Sequence, residues 1–354
     1  MQAAVWYGKR DIRIEQRPDP TGPGPGEAIV EVALAGICGT DLHEYTDGPQ
    51  YIPVEPNPVT GQSAPLTLGH EIAGTVVAAG ERVTRARPGD RVAIFAIQGC
   101  GQCRMCRRGV PALCTTLVVT GLHTGDGGLS RYVRVKDAQL YLLPDHLSFT
   151  QGALVEPAAC AVRAVHLGQV QPGDVVLVTG AGPIGQLTAM AALAAGAREV
   201  YISEVVPARR ELAERAVRPT AVLDPTRTNV PEALREATEG WGADVVFECS
   251  ANPRAFADAL AATRKGGTMV QFGVFTQQVQ LHPADLTNYE RRIQGNLAYA
   301  PPDFDRTLEL MATGKLPAER IVTAEIPLED VVELGFDELI RPDTRHAKIH
   351  IRPA

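Results

Sequence analysis

The residues best suited to chemistry crowd into positions 36–49, GICGTDLHEYTDGP. Cys38, Thr40, Asp41 and His43 bring a thiol, a hydroxyl, a carboxylate and an imidazole into one short stretch, beside glycines that discourage helix. Packing gives no reason for that mixture, whereas a metal ion with a bound substrate and a proton exit does. Further along come Gly69-His70-Glu71 and, within LVEPAAC, Glu156. Cys38, His70 and a carboxylate are three ligands of types zinc accepts, and they leave one position for water or substrate. Each has a plainer reading as well. A histidine near a strand is commonly just hydrogen-bonded, and Glu156 before Pro157 also suits a helix N-terminal acid. Cys160, one turn beyond, is a rival ligand or a buried core thiol.

A second cluster needs less argument. Cys100, Cys103, Cys106 and Cys114 read C-x2-C-x2-C-x7-C in a loop rich in Gly and Arg. Four thiolates close a tetrahedron around Zn²⁺ with no open position, so the expected role is structural. An iron–sulfur cluster or free thiols are the alternatives, and crowded free thiols would be an oxidation hazard.

A third signal concerns a cofactor. Gly180-Ala181-Gly182-Pro183-Ile184-Gly185 fits G-x-G-x-x-G, directly after the apolar run VVLV and at the opening of an Ala-rich helical stretch. The first glycine permits the turn, the second a close approach of backbone to pyrophosphate, and the third tight helix–strand packing. Glu204 ends the next apolar run, at the offset of the acid that grips the ribose hydroxyls of NAD and repels a 2′-phosphate. Arg209 and Arg210 lie near enough to meet such a phosphate, or are exposed charges on the helix after Pro207.

The elements that must position these groups fall into two textures. Through about residue 155, short β-branched runs such as EAIVEVALAG, EIAGTVVAAG and SRYVRV are broken by Gly and Pro, which predicts a strand-rich, barrel-like domain. From 156 to 297, apolar strands alternate with helical segments such as PARRELAERA and PRAFADALAATR, which predicts a parallel sheet covered on both faces. After that come a helix (PDFDRTLELMATG) and a terminal strand (HAKIHIRP), while 51–65 is a long proline-rich loop. The 354 residues, 45% hydrophobic and 21% charged, suffice for about two domains. A net charge of −7 without a basic cluster argues against nucleic acid or an anionic membrane surface as partner. No run reaches the ~20 apolar residues of a membrane span. The N-terminus reads as a strand and not a signal peptide, and the seven cysteines are odd in number; a cytoplasmic protein is expected.

GICGTDLH, GHEIAG, the cysteine quartet, LVEPAACAV and GAGPIG together resemble the zinc-dependent medium-chain dehydrogenase/reductase superfamily, from about residue 2 to the C-terminus. HEYTDGPQYIPVEPNPVTGQSAPLTLGHE, GLHTGDGGLSRYV and ISEVVPARREL are similar to its (R,R)-2,3-butanediol dehydrogenase branch. The resemblance implies an α/β plus β architecture. A GroES-like, barrel-type catalytic domain would comprise 1–155 and 298–354, and a doubly wound Rossmann cofactor domain 156–297. It implies Cys38, His70 and Glu156 as ligands of a catalytic zinc, Glu71 as a direct ligand or an acid behind the ligands, and Asp41 as the group orienting a ligand histidine. Thr40 would take the proton of the bound alcohol and His43 pass it toward solvent through the nicotinamide ribose. Lys348 would face the pyrophosphate. Tyr45 and Tyr51 would shape a pocket or belong to a surface excursion. The implied reaction is NAD-linked oxidation of 2,3-butanediol to acetoin and its reverse, by a dimer or tetramer with two zinc ions per chain. A polyol, threonine-like amino alcohol or simple secondary alcohol is the alternative substrate within the same machinery. A redox-inert NAD-binding relative is the alternative of another class, and the joint presence of Cys38, His70 and Glu156 speaks against it.

Overall fold

The structure, a computed structural model, describes residues 1–353. Two compact units divide the chain. The first is Met1–Pro157, Ala300–Ala312 and the chain from Val322; the second is Ala158–Tyr299 and Thr313–Ile321. Among the described residues no helix is long and apolar enough to cross a membrane.

The first unit is built on the strand Glu27–Gly36, whose Ile29, Val30 and Val32 suit a pleated, buried surface. It pairs antiparallel with Glu71–Ala79, Tyr132–Lys136 and Lys348–Arg352, so the chain's last strand lies beside one of its first. The resulting seven-stranded sheet encloses Ile72, Ile94, Leu129, Leu140 and Ile349. A smaller sheet, formed by Asp11–Gln16, Gln2–Gly8 and Leu66–Thr67, adds Trp6 and Leu66 to the same core.

The stretch of mixed chemistry forms a helix, Gly39–Asp47. Its glycines flank the helix instead of interrupting it: Gly39 opens it and Gly48 follows it. Asp41 reaches back to accept the Cys38 amide at 3.0 Å, and a carboxylate in the first turn suits the helix dipole. The expected long loop follows, with no strand before Leu66. It is held by Glu44, a fully buried acid whose carboxylate accepts the amides of Gln50, Tyr51 and Ile52.

The second unit carries six parallel strands in the order Ala221–Leu223, Glu199–Ser203, Val175–Thr179, Ala243–Glu248, Thr263–Gln271, Arg292–Gly295. Numbered by sequence within the sheet, that is the doubly wound order 3-2-1-4-5-6. The central strand Val175–Thr179 is buried at every position, as a strand covered on both faces must be. The helices fall where the apolar spacing predicts them, at Pro183–Ala194, Pro207–Ala216 and Pro253–Ala262.

Phe247 is fully buried in a central strand of this sheet. Phe247→Ala should cost about 3–5 kcal/mol, through lost burial plus the cavity left behind. Urea unfolding followed by circular dichroism measures it; a cost under about 1 kcal/mol would mean that the packing around this ring is not as described.

Candidate active site

The four cysteines of the quartet converge. Their sulfur atoms all lie within 4.8 Å of one another, the one such metal-competent grouping among the described residues. Backbone amides point at the sulfurs: Cys103 N and Gln102 N donate to Cys100 Sγ, Cys106 N to Cys103 Sγ, and Cys100 N and Thr116 N to Cys114 Sγ. Burial works against a thiolate at Cys114. The Thr116 hydroxyl and the amides of Cys100 and Thr116 outweigh it and hold that thiol down to about 6. A closed S₄ set with amide donors behind it fits zinc.

The second centre is built from three elements of the first unit. Cys38 caps the helix Gly39–Asp47, and its Sγ lies 3.8 Å from Thr40 Oγ1. His70 immediately precedes the strand Glu71–Ala79 and is buried. Its Nδ1 faces Asp41 Oδ1 at 3.5 Å, and neither atom makes a hydrogen bond of normal geometry. Burial alone would lower the basicity of His70. The charges of Asp41, then Cys38, then Glu156 outweigh it and hold the imidazole well above its ordinary value. Burial raises Asp41 as well. The geometry favours a proton on Nδ1 directed at Asp41, which leaves Nε2 as the nitrogen on offer to a metal. Glu156 is buried within the helix Phe149–Gly168 and acts electrostatically on His70 and Lys348. The charges of Cys38 and Glu156 both act on His70. A soft sulfur, an imidazole with its other nitrogen fixed and a buried carboxylate form a donor set that fits a catalytic zinc.

Two expectations change here. Lys348 does not present its ammonium to a pyrophosphate. It is buried, and its Nζ donates to both oxygens of Glu71 at 2.7 and 2.8 Å and to the Ile37 carbonyl at 2.8 Å. An ammonium that deep persists only when paired, and Glu71 is its partner. Burial disfavours the charge on Lys348, while Glu71, Cys38 and Glu156 more than restore it. Glu71 in turn has both oxygens committed to Lys348, which sets it behind His70. Gly36 is required by this arrangement, because a Cβ there would collide with Glu71 Oε2. Tyr45 is also settled: it packs on Phe336 and donates to Asp337 Oδ1 at 3.0 Å, as a core residue. Tyr51 is 43% exposed on the long loop. Thr40 and His43 are both partly buried and stand three residues apart on one helix face.

In the second unit, Gly180 follows the strand Val175–Thr179 with a φ of +92°, and Gly182 caps the helix Pro183–Ala194. Added Cβ atoms test the motif position by position. At Gly185 one would strike the Gly180 carbonyl, whereas at Gly182 it would meet nothing within 4 Å. The middle glycine therefore faces open space at a helix N-terminus, a place that suits a pyrophosphate. Pro183 sits in the first turn, Ile184 beside it. Glu204 accepts the Ala181 and Val206 amides, each at 2.8 Å. The two arginines part company. Arg210 pairs with Asp224 at 3.1 Å, while Arg209 lines a cavity of about 360 Å³ together with Gly180, Gly182 and Glu204. Ser250 and Asn252, from the loop after the strand Ala243–Glu248, and Arg254, in the first turn of the helix Pro253–Ala262, line it too. The sequence reading missed them; the signal was their place after the carboxyl end of the strand next to Val175–Thr179. The Cys160 carbonyl accepts from Asn296 Nδ2 at 3.4 Å.

The buried pair makes a sharp test. Lys348→Met leaves Glu71 charged and unpaired and should cost about 3–5 kcal/mol of stability, and adding Glu71→Gln should recover most of that. Urea midpoints of the two single variants and the double variant decide it. Additive losses would dissolve the pair.

Comparison with known proteins agrees with these geometries. Residues 24–145 match the alcohol dehydrogenase GroES-like domain, and residues 183–313 match the zinc-binding dehydrogenase family. The chain is 39% identical over 357 residues to an (R,R)-butanediol dehydrogenase of Bacillus subtilis, covering 100% of both chains. Its fold superposes on the crystal structure of 2R,3R-butanediol dehydrogenase from Bacillus subtilis with a TM-score of 0.93, at 39% identity, covering 100% of this chain and 99% of the other. A zinc-binding dehydrogenase structure from Sinorhizobium meliloti bound to NADP gives 0.89 at 32% identity, covering 99% of each. With one unit matching the GroES-like domain, the other a doubly wound dinucleotide fold, and similarity running the full length, this chain belongs to the zinc-dependent medium-chain dehydrogenase family, in its butanediol-dehydrogenase-like branch, and is an alcohol dehydrogenase.

Proposed function

We propose that the enzyme interconverts a vicinal diol and a hydroxyketone, 2,3-butanediol and acetoin, with NAD as hydride carrier and with Cys38, His70 and Glu156 as the ligands of its catalytic zinc. The observation that carries the proposal is the set itself: Cys38 beside Thr40, and the buried His70 with Nδ1 turned to Asp41. Such a zinc would supply Lewis acidity, lowering the pKa of the substrate hydroxyl, and the dinucleotide would take up the hydride. The work of the chain's own residues is then to orient and to move a proton. Asp41 holds the His70 ring in one tautomer. Thr40 Oγ1 receives the hydroxyl proton next to Cys38, and His43, one turn along the same face, passes it outward. Glu71 and Lys348 sit behind the ligands and keep their charges matched. A carboxylate ligand in place of a second thiolate keeps the centre harder, which suits two neighbouring oxygens. The cysteine quartet holds a second, structural zinc. We place the enzyme in the cytoplasm, as a dimer or tetramer.

Support for NAD comes from Glu204, whose carboxylate lines the cavity beside Gly180 and Gly182, where a 2′-phosphate would meet a negative charge. A second reading has its own observation: Arg209 shares that cavity without an ion pair among the described residues, as a group that could meet the extra phosphate of NADP.

Three measurements test the proposal. In a substrate panel, 2,3-butanediol should lead in kcat/KM; a polyol or amino alcohol ahead by about tenfold, or 1.4 kcal/mol, would replace it as substrate. Glu204→Ala should shrink the preference for NADH over NADPH in acetoin reduction, and an unchanged ratio would remove Glu204 from the account. Glu156→Ala should abolish turnover while metal analysis still finds about one zinc per chain; an active variant means that Glu156 is no ligand.

A further inference from the structure

The cofactor cavity lies at the carboxyl ends of the parallel strands, where Gly180, Glu204 and Ser250 follow three of them. At the opposite edge of the same sheet lies a larger cavity of about 800 Å³, which the proposed reaction does not use. It opens where the strands Thr263–Gln271 and Arg292–Gly295 begin, beside the end of the helix Val230–Ala237.

Three cations line it: Arg235, Lys265 and Arg291. None of them makes an ion pair with a carboxylate within 4.0 Å among the described residues. Arg235 has a long contact to the Ala261 carbonyl at 3.4 Å, and the buried Nε of Arg291 has no hydrogen-bond partner among the described residues. Two of these cations share one ring: the Arg291 guanidinium is 4.6 Å and the Lys265 ammonium 5.7 Å from the centroid of Tyr289. Trp241 stands at the same cavity with 65% of its surface exposed. Glu239 and Asp285 are the acids of the lining, so the wall keeps a net positive charge in a chain whose total is −7. Burial disfavours the charge on Arg291; Tyr289 and Asp285 offset that in part, and the neighbouring Arg235 adds to it, leaving the guanidinium below its ordinary basicity. Like charges gathered around an unfilled donor gain from an anion between them, and the exposed indole gains from a flat group that covers it.

We propose that this cavity binds an aromatic anion, its ring against Trp241 and Tyr289 and its phosphate or carboxylate held by Arg235, Lys265 and Arg291. The site is separate from the dinucleotide cavity and does not depend on which alcohol the enzyme oxidises. Arginine forks match both anionic groups, so phosphate and carboxylate are alternatives within one chemistry.

The test uses the full-length, zinc-loaded protein saturated with NAD, so that the cofactor cavity is filled. Phenyl phosphate and benzoate are titrated separately while tryptophan emission is followed. Trp241 is exposed and Trp6, the other tryptophan, is buried, so a quench at a rim site reports on Trp241. Saturable quenching by at least one probe is expected, weakened by about tenfold or more in Arg235→Gln/Arg291→Gln, as loss of charge-assisted hydrogen bonds requires. Whichever probe binds more tightly identifies the anionic group. Lys265→Gln serves as the second variant should the double substitution disturb folding, and it should weaken binding in the same direction. Absence of saturation with either probe, or equal affinity in the variants, overturns the proposal. Inorganic phosphate binding as tightly as phenyl phosphate overturns the aromatic part of it.

Discussion

Buried charge is the constraint on which the first unit turns. Asp41, three residues after Cys38, Glu71, next to His70, and Lys348, in the chain's last strand, are all removed from water. None could stay charged there alone, because desolvating a single ion costs several kcal/mol. Asp41 is met by the neighbouring Cys38 amide and by His70, and Lys348 by Glu71 and the Ile37 carbonyl, both far from it along the chain. The consequence is mechanical. A helix start, the beginning of one strand and the last strand of the chain are bound to one another through side chains, and the groups fit to hold a metal are carried on those same elements. The backbone obeys the same constraint at Gly36, where any side chain would displace Glu71.

The second unit meets a different demand. Its task is to bring bare backbone near a diphosphate, and it does so with a turn in which the outer two glycines are sterically enforced and the middle one faces open space. Glu204 braces that turn by accepting the Ala181 amide as well as the Val206 amide. One carboxylate thus both holds the loop and sets the charge that a ribose would meet. Arg210, tied to Asp224, fastens the neighbouring loop, and Arg209 is left to face the cavity.

The two metal-competent groupings differ in how locally they are made. The quartet needs a single short loop, in which amides from residues two or three positions away point at the sulfurs. Its spacing is therefore readable as text, as are the glycine turn and the strand–helix alternation behind it. The other centre draws on the helix at 39–47, the strand at 71–79 and the helix at 149–168, so its parts are individually ordinary. Here the reading leaned on family resemblance, and the resemblance misled at Lys348. A basic residue in the last strand says nothing of whether its ammonium turns toward a ligand or inward to a carboxylate 277 positions earlier. Glu44 escaped notice for the same reason, since an acid buried to anchor the loop at 50–52 looks in sequence like any surface glutamate. Tyr45 and Tyr51, six residues apart, were indistinguishable until one packed on Phe336 and the other stayed wet.

What the chain's order of residues determined alone was whatever depends on neighbours within a turn or a strand: hydrophobic period, glycine conformation, thiol spacing. Only the tertiary structure decided which charges meet, because pairing in a low-dielectric interior is set by distance in space and not along the chain. Lys348 against Glu71, Asp41 against His70, and the three cations gathered around Tyr289 and Trp241 are products of that folding, and none of them is written in any local pattern.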